Sequence, residues 1–320
     1  GLVQGAIAES FGGFGDQRCA LNGAVVAEEL AYGDMSIALH MLAPRLLAYP
    51  VLEMGTDDQR SRILKRFTGR EFFAGTAALV EPRFDFDASA QETTAAPDGD
   101  GFVVNGRKCL VPLAAESASL LVFAATNGQR PAQRVDAFVV ERNAPGVSVT
   151  AREKNMGLKP LATYGLELKD VRVGGDARVG GGNGINFTRL MGESRVAIAA
   201  LGVGLARAAF DYARDYARER RAFGAPIATK QSIAFMLADM AIEIDAARLL
   251  VWEAAWHLDH GDDSLKESYL AKNYVAASAL KVADNSVQVL GGHGYIREHP
   301  VEMWLRNARG LATLEGIATV

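Results

Sequence analysis

The sequence predicts an α+β protein, mainly α, with N-terminal helices, a central antiparallel β-domain and a C-terminal four-helix bundle. Hydrophobic residues recur with a helical period up to about residue 75 and alternate with a period of two, between turn residues, from 76 to 180. The helical period returns from 181 to 320. With 320 residues, the chain is long enough for the three predicted domains, 1–75, 76–180 and 181–320.

Local signals place the elements of the first two domains. Helical spacing predicts helices at 23–32, 35–47 and 57–67. In the β-domain, the Asn-Gly pair at 105–106 has the positive φ preference of a tight hairpin turn. We therefore expect residues 102–105 to pair antiparallel with residues 108–111.

A glycine-rich run at 180–184 begins the third domain. We interpret the run as a linker, because the Lys-Ser/Thr pair of a P-loop is missing; a phosphate-binding loop is the alternative. After it, helical periodicity predicts four helices, at 186–221, 232–259, 265–290 and 300–320. Glycines after the third helix and Pro300 at the start of the fourth support these boundaries.

Composition excludes several classes of protein. The net charge of −4 argues against nucleic-acid binding, which requires an excess of Lys and Arg. Only Cys19 and Cys109 are present, so no disulfide framework is expected. No apolar run approaches the ~20 residues of a membrane span, and the first residues lack the layout of a signal peptide. We expect a cytoplasmic protein that binds neither membranes nor nucleic acid.

Three features of the C-terminal half could carry chemistry. Arg220 ends a predicted helix, where its guanidinium could bind phosphate or be solvated. Gln288 precedes Gly291 and Gly292, which would admit another molecule close to the backbone or form a simple turn. Glu315 is the only acidic residue among the last eighteen. A partly desolvated carboxylate there would suit a general base, although a solvent-facing glutamate on a terminal helix is the alternative.

Two other chemistries have little support. His257 and His260 have the spacing of a helical metal pair but lie at a polar helix end, so we expect solvated side chains and no metal. A Gly-x-Ser-x-Gly motif is absent from the sequence, which leaves a serine hydrolase without a basis.

The C-terminal half resembles the acyl-CoA dehydrogenase family in a series of motifs with their order and spacing intact. The motifs are Arg-Arg-Ala-Phe-Gly-Ala-Pro-Ile at 220–227, Phe-Met-Leu-Ala-Asp-Met at 235–240, Gln-Val-Leu-Gly-Gly-His-Gly-Tyr at 288–295, Pro-Val-Glu at 300–302 and Glu-Gly at 315–316. Glu-Pro at 81–82 and Asn-Gly-Arg-Lys at 105–108 resemble the β-domain of the family. The resemblance covers roughly the last 125 residues most densely.

This resemblance implies a fold, a cofactor and roles for named residues. It implies a flavoenzyme of fatty acid metabolism, a homo-oligomer (dimer or tetramer) with FAD at a subunit interface, acyl-CoA as substrate and an electron-transfer flavoprotein as acceptor. Glu315 is implied as the catalytic base, with Arg195 and Gly316 near the substrate. The residues implied to contact FAD are Arg220, Phe223, Gln231, Gln288, Gly291 and Gly292.

The chain departs from the family pattern where the flavin ring is expected to bind. Val80 stands in place of a hydroxyl residue, the residues Leu110, Val111 and Pro112 replace Trp-Ile-Thr, and Ile317 replaces threonine. Pro112 has neither a hydroxyl nor an amide N–H. The chain could hold FAD in a modified pocket, be the partner of an FAD-competent subunit, or bind acyl-CoA without catalysis. A flavin oxidase or monooxygenase on the same fold is the enzymatic alternative.

Overall fold

The computed structural model describes residues 2–127 and 134–320. It shows a helical N-terminal region, a seven-stranded sheet and a helical C-terminal region, which confirms the predicted α+β fold. In the described chain, the helices before the sheet are α1 (Ala20–Leu42), α2 (Arg45–Met54) and α3 (Asp57–Ile63).

A break within α1 falls between the two helical stretches predicted there. Asp34 has extended backbone angles (φ −161°, ψ 120°). Its carboxylate accepts hydrogen bonds from the amide N–H groups of Ser36, at 2.7 Å, and Ile37, at 2.9 Å. Asp34 thus caps the second half of α1 in the way that an N-cap residue begins a separate helix.

The N-terminal helices contribute to two different hydrophobic cores. Alanines of α1, including Ala24, Ala27 and Ala31, pack into the core of the C-terminal helices. Leu47 of α2 packs instead into a core that includes Leu121 of the sheet. The N-terminal region therefore joins the sheet to the helical bundle.

In the sequence, the sheet follows these helices and precedes the C-terminal region. Its strands are β1 (Gly75–Ala78), β2 (Thr94–Asp98), β3 (Gly101–Pro112), β4 (Ser119–Asn127), β5 (Arg134–Glu141), β6 (Val147–Arg152) and β7 (Thr163–Val173). The spatial order is β1-β4-β2-β3-β7-β6, with β5 also paired to β4. Pairing is mainly antiparallel, but β4 runs parallel to both β1 and β2.

The predicted hairpin at Asn105-Gly106 is wrong, because β3 runs through this pair as one strand. Asn105 forms side-chain hydrogen bonds with Asp170 of β7, and Gly106 lies at a register shift with positive φ (155°). A Cβ at Gly106 would overlap Thr93, so this glycine serves a β-bulge. The hairpin turn lies earlier in the sequence, between β2 and β3, where Gly99 has a positive φ (61°).

The glycine-rich run folds into consecutive turns ahead of the next helix. The amide N–H groups of Gly181, Asn183 and Gly184 all donate to backbone carbonyls within residues 178–184. The Gly180 amide donates to the side chain of Gln59 at 3.1 Å. Because these donors are already satisfied within the protein, the geometry favours the linker over a phosphate-binding loop.

The C-terminal region contains three long helices and two short ones within the described chain. They are α4 (Phe187–Glu219), α5 (Gln231–Asp259), α6 (Leu265–Leu290), α7 (Gly292–Tyr295) and α8 (Val301–Ala308). The prediction of a fourth helix through residue 320 is wrong, because α8 ends at Ala308. Gly310 follows it, and Gly316 has a left-handed backbone (φ 63°) that an α-helix does not accommodate.

Helix α4 contradicts the expectation that no segment approaches a membrane span. By length and composition, α4 could cross a membrane. However, 78% of its most apolar window is buried inside the protein. Its buried residues belong to the core shared by α1, α5 and α6. The helix therefore has the burial of a core helix of a globular protein.

A buried ion pair stabilises the sheet where β1 and β3 meet. The Lys108 ammonium donates to Glu81 Oε1 at 3.1 Å, to the Leu79 carbonyl at 3.1 Å and to the Gln91 side chain. Burial opposes ionisation of Glu81, but Lys108 and two backbone N–H donors hold the pKa of Glu81 at about 2. Glu81 is therefore an ionised carboxylate in the folded protein.

We expect Lys108→Met to lower the free energy of unfolding by about 3 kcal/mol or more, because it leaves the buried Glu81 carboxylate without its cation. Urea unfolding of the wild type and the variant measures the change in the free energy of unfolding. Lys169→Met, at an exposed position of β7, is the control, with an expected change of about 0.5 kcal/mol or less. An equal effect of both substitutions would contradict the role of the pair.

The same pair predicts how stability depends on pH. The pKa of Glu81 is about 2 in the folded protein and lies near 4.3 in an unfolded chain, so the stabilisation is complete above that range and up to about pH 8, the value to which burial lowers the pKa of Lys108. It is lost as the pH falls toward about 2. Urea titrations of the wild type and Glu81→Gln should therefore converge at acidic pH.

Candidate active site

Glu315 lies in the irregular segment after α8, where the segment passes against the sheet. Leu314 and Ile317 are buried, and the Glu315 side chain is 18% exposed. A Cβ at Gly316 would overlap the side chain of Leu79, so the close approach to the sheet requires glycine at this position. Glu315 is therefore largely buried and lies outside any helix, so the alternative of a solvent-facing glutamate on a terminal helix is wrong.

Two cations from the bundle face the Glu315 carboxylate. Lys272 Nζ of α6 lies 2.5 Å from Glu315 Oε1, and Arg195 Nε of α4 lies 3.7 Å from the same oxygen. In the described chain, Glu315 Oε2 and Arg195 Nε are buried and have no hydrogen-bond partner. Buried polar atoms in folded proteins normally have partners, so these two atoms are available to bind a ligand or a water molecule.

Lys272 was missed by sequence reasoning, although the sequence contains a signal for it. On α6, Lys272 falls at helical spacing between Ser268 and Val275, and all three residues are buried. A lysine on the buried face of a helix needs an acceptor, because a buried ammonium without one is unfavourable. The identity of that acceptor depends on how the segment after α8 folds back onto α6.

The six residues predicted to contact the cofactor lie at one end of the bundle, where α4 and α6 end and α5 begins. They are Arg220, Phe223, Gln231, Gln288, Gly291 and Gly292, and all six are exposed. The Tyr216 hydroxyl of α4 lies 2.8 Å from Nδ1 of His293, next to the glycines after α6. This contact holds the two sequence-distant groups on one surface.

That surface is far from Glu315 in the same protomer. Lys272, which contacts Glu315, is separated from Leu290 at the end of α6 by roughly 27 Å of helix. Arg195 is separated from Arg220 by roughly 37 Å of helix. The fold brings Glu315, Arg195 and Gly316 together and places the six cofactor residues elsewhere.

The exposed end of the bundle has features suited to a nucleotide-like ligand. Arg220 forms no ion pair with any residue of the described chain, which leaves its guanidinium available for phosphate. Phe223 is 95% exposed on a left-handed backbone (φ 52°). A Cβ built on Gly291 or Gly292 would contact nothing within 4 Å, so their backbone is open to a close approach.

A cleft of about 220 Å³ separates the sheet from the segment that contains Glu315. Leu110 and Thr163 line it on the sheet side, and Leu314 and Ile317 line it on the other. Leu110 has a left-handed backbone (φ 54°), and its amide donates to the Glu153 carboxylate at 3.2 Å. The walls of the cleft are therefore largely apolar, and this amide is already bonded within the protein.

The residues present fit FAD in two parts. The mainly apolar walls of the cleft suit a flat aromatic ring system, and Arg306, Asn155 and Thr313 among its lining residues are available for polar contacts. Val80 and Pro112 do not line this cleft. The exposed Arg220 and the open backbone at Gly291 suit the pyrophosphate part of the molecule. The roles of the individual residues remain predictions.

The histidines rejected as a metal pair have other partners. His257 Nδ1 lies 3.1 Å from Asp262, and the His260 ring stacks on Trp256. Among the residues that the structure describes, no group of three His, Cys, Asp or Glu side chains is arranged to hold a metal ion.

The chain belongs to the acyl-CoA dehydrogenase family. Residues 1–71 match its N-terminal domain, residues 76–171 its middle domain and residues 182–320 its C-terminal domain. The resemblance inferred from the motifs is confirmed, and so are the enzyme class, an FAD-dependent oxidoreductase, and FAD as cofactor.

Similar proteins include both reductases and dehydrogenases. The 3-(aryl)acrylate reductase of Clostridium sporogenes is 34% identical over 98% of this chain and 83% of that protein. The caffeyl-CoA reductase-Etf complex subunit CarC of Acetobacterium woodii is 35% identical over 98% of this chain and 83% of that protein. The structure of butyryl-CoA dehydrogenase from Megasphaera elsdenii has a TM-score of 0.87 and 32% identity, covering 97% of this chain and 82% of that one.

We expect Tyr216→Phe to weaken FAD binding about fivefold, because loss of one hydrogen bond releases the glycine segment at His293 from α4. Fluorescence titration of the flavin-depleted protein with FAD measures the Kd. Tyr212→Phe is a matched control: the Tyr212 hydroxyl lies 2.7 Å from His299 Nδ1, outside the glycine segment. Equal weakening by both substitutions would contradict a specific role for Tyr216.

Proposed function

We propose that this protein dehydrogenates an acyl-CoA thioester at Cα and Cβ to a trans-2-enoyl-CoA, with Glu315 as the base. The observation that carries the proposal is the buried Glu315 Oε2, which has no partner in the described chain. The similarity to butyryl-CoA dehydrogenase over 97% of the chain supports a saturated acyl-CoA as substrate.

Removal of the α-proton requires help at the thioester carbonyl. The α-proton is too weakly acidic for a free carboxylate, so hydrogen-bond donors must stabilise negative charge on the carbonyl oxygen. The Glu315 amide N–H donates to no acceptor in the described chain and lies next to Gly316, whose missing side chain leaves the backbone accessible. It is therefore a suitable donor for this oxygen.

Exclusion of water and fixed orientation complete the role of the protein. The Glu315 carboxylate is held at Oε1, which orients the free Oε2. Leu110, Leu314 and Ile317 would hold the flavin ring in the cleft and keep solvent away from it. When bound, FAD supplies the acceptor for the hydride from Cβ.

The separation of the two residue sets favours an active site shared between two copies of the chain. FAD bound beside Glu315 cannot reach Arg220 of the same protomer over roughly 37 Å of helix. A two-fold dimer would bring the exposed end of one bundle to the cleft of its partner. We infer a homodimer, alone or within a tetramer, as the active unit.

The electron acceptor is proposed to be an electron-transfer flavoprotein. The relative from Acetobacterium woodii is named as a subunit of a reductase-Etf complex, and its similarity extends over 98% of this chain. Transfer to such a partner would regenerate the oxidised flavin after each turnover.

Reduction of a 2-enoyl-CoA is the second candidate, favoured by the two relatives that are named reductases. The same groups serve both directions, because Glu315 would return the proton to Cα during reduction. Anaerobic mixing of the purified protein with butyryl-CoA, and of its reduced form with crotonyl-CoA, compares the directions through the flavin absorbance. The direction with the larger kcat/KM identifies the principal reaction.

We expect Glu315→Gln to reduce kcat about 10³-fold or more while FAD remains bound, because the amide cannot accept the α-proton. The bleaching rate of flavin absorbance on addition of butyryl-CoA measures this step. Flavin content, determined from the spectrum, is the control for binding. Turnover near the wild-type rate would refute Glu315 as the base.

Mixing two inactive variants tests the shared site. When Glu315→Gln and Arg220→Ala chains are unfolded, mixed and refolded together, each hybrid dimer regains one complete site, so about one quarter of the wild-type activity is expected. Each variant refolded alone is the control. If both sets of residues served one protomer, the mixture would be no more active than the separate variants.

A further inference from the structure

We propose that Lys272 is the positioning residue of the base: its ammonium holds Glu315 Oε1 so that Oε2 is left to take the substrate proton. This inference rests on the proposed role of Glu315. It adds a residue on α6 that is remote in sequence from the segment carrying the base.

The geometry of the pair supports this role. The Lys272 side chain is 7% exposed, and Nζ makes a hydrogen bond to one acceptor in the described chain, Glu315 Oε1 at 2.5 Å. The residues before and after it on the buried face, Ser268 and Val275, are 0% and 1% exposed. Because α6 is fixed by the bundle core, Lys272 provides a rigid anchor for a carboxylate on an irregular segment.

The ion pair gives the two carboxylate oxygens of Glu315 different surroundings. Oε1 faces both Lys272 and, at 3.7 Å, Arg195 Nε, whereas Oε2 is buried without a donor from any residue that the structure describes. The oxygen without a donor has a lone pair available for a proton. A carboxylate that could rotate freely would spend part of its time with neither oxygen directed at the substrate.

The other charged and titratable groups around the base are on α4, α6 and the loop after β1. The Arg195 guanidinium lies over the ring of Tyr269, 5.3 Å from its centroid. The Asp87 carboxylate, whose pKa is lowered chiefly by hydrogen bonds from Ser89, also lies in the field of Arg195. Arg195 therefore has a second anionic neighbour, while Lys272 serves Glu315 alone in the described chain.

This arrangement predicts that loss of Lys272 slows proton removal. Without the ammonium, the cation that remains beside Glu315 Oε1 is Arg195, whose Nε lies 3.7 Å away, so the carboxylate is free to turn away from the substrate. A cation of similar reach at position 272 should restore the orientation of the carboxylate.

The test compares Lys272→Met with Lys272→Arg, using Lys281→Met as the matched control. Lys281 lies on the same helix, but its ion pair with Glu243, at 2.8 Å, is at the surface. For each FAD-loaded variant, kcat and KM for butyryl-CoA are measured at neutral pH, which separates an effect on turnover from an effect on substrate binding. Exchange of the α-hydrogens of butyryl-CoA in D2O, followed by NMR under anaerobic conditions, reports proton removal separately.

For Lys272→Met we expect kcat to fall about 10- to 100-fold at neutral pH, with KM changed less than about threefold. The α-hydrogen exchange rate should fall in parallel. Lys272→Arg should restore most of the wild-type kcat and exchange rate, and Lys281→Met should resemble the wild type in all readouts. If Lys272→Met does not fold, Lys272→Gln replaces it in the same comparison.

The outcomes separate this inference from the proposed function. An unchanged kcat and exchange rate in Lys272→Met, alongside an inactive Glu315→Gln, would overturn the role of Lys272 and leave the base assignment intact. A loss of activity in Lys272→Met that is not rescued by arginine would also overturn it, because such a loss indicates a packing role. An active Glu315→Gln would instead remove the proposed function itself.

Discussion

The contact between the Gly316 backbone and the Leu79 side chain is the constraint on which the site depends. It joins the segment after α8 to the sheet so closely that a Cβ at position 316 would overlap Leu79. With the backbone held there, the neighbouring Glu315 meets Lys272 and Arg195 of the bundle. A helix through residue 320 would have presented Glu315 differently, since the left-handed backbone of Gly316 is incompatible with a regular α-helix.

Rigidity elsewhere supports this local geometry. The alanines of α1 allow it to pack closely against the long helices, and the ionised Glu81 ties the end of β1 to Lys108 of β3. The helix packing and the ion pair both consist of buried groups with satisfied contacts, which limits the movement of the elements beside the site. The carboxylate of Glu315 is different, because one of its oxygens is buried without a partner in the described part of the chain.

The length of the bundle separates the two sets of predicted site residues. One set surrounds Glu315, and the other lies at the exposed end that carries Arg220 and Gly291. Motif spacing predicted both sets but contained no information on the distance between them, because distance along a helix follows only from the packed helices. This separation is the observation behind the proposed shared site.

Sequence patterns predicted elements best where the periodic signal was long. The ends of α5 and α6 were predicted within one residue of those observed, and the glycines after α6 explain where it stops. The Asn-Gly pair at 105–106 was misleading, because the same positive φ preference serves a hairpin turn and a β-bulge. The pairing of β3 with β7, which decides between them, is a contact between residues distant in sequence.

The sequence by itself determined the family, the order of helical and sheet regions and the candidate base, because these depend on residue type and spacing. Only the tertiary structure decided that Lys272 and Arg195 face Glu315, that one carboxylate oxygen has no partner among the described residues and that the residues predicted to contact FAD lie at the opposite end of the bundle. The physical reason is that charge pairing and burial depend on which distant segments pack together. The local period of a sequence fixes the faces of each helix but does not specify what each face will meet.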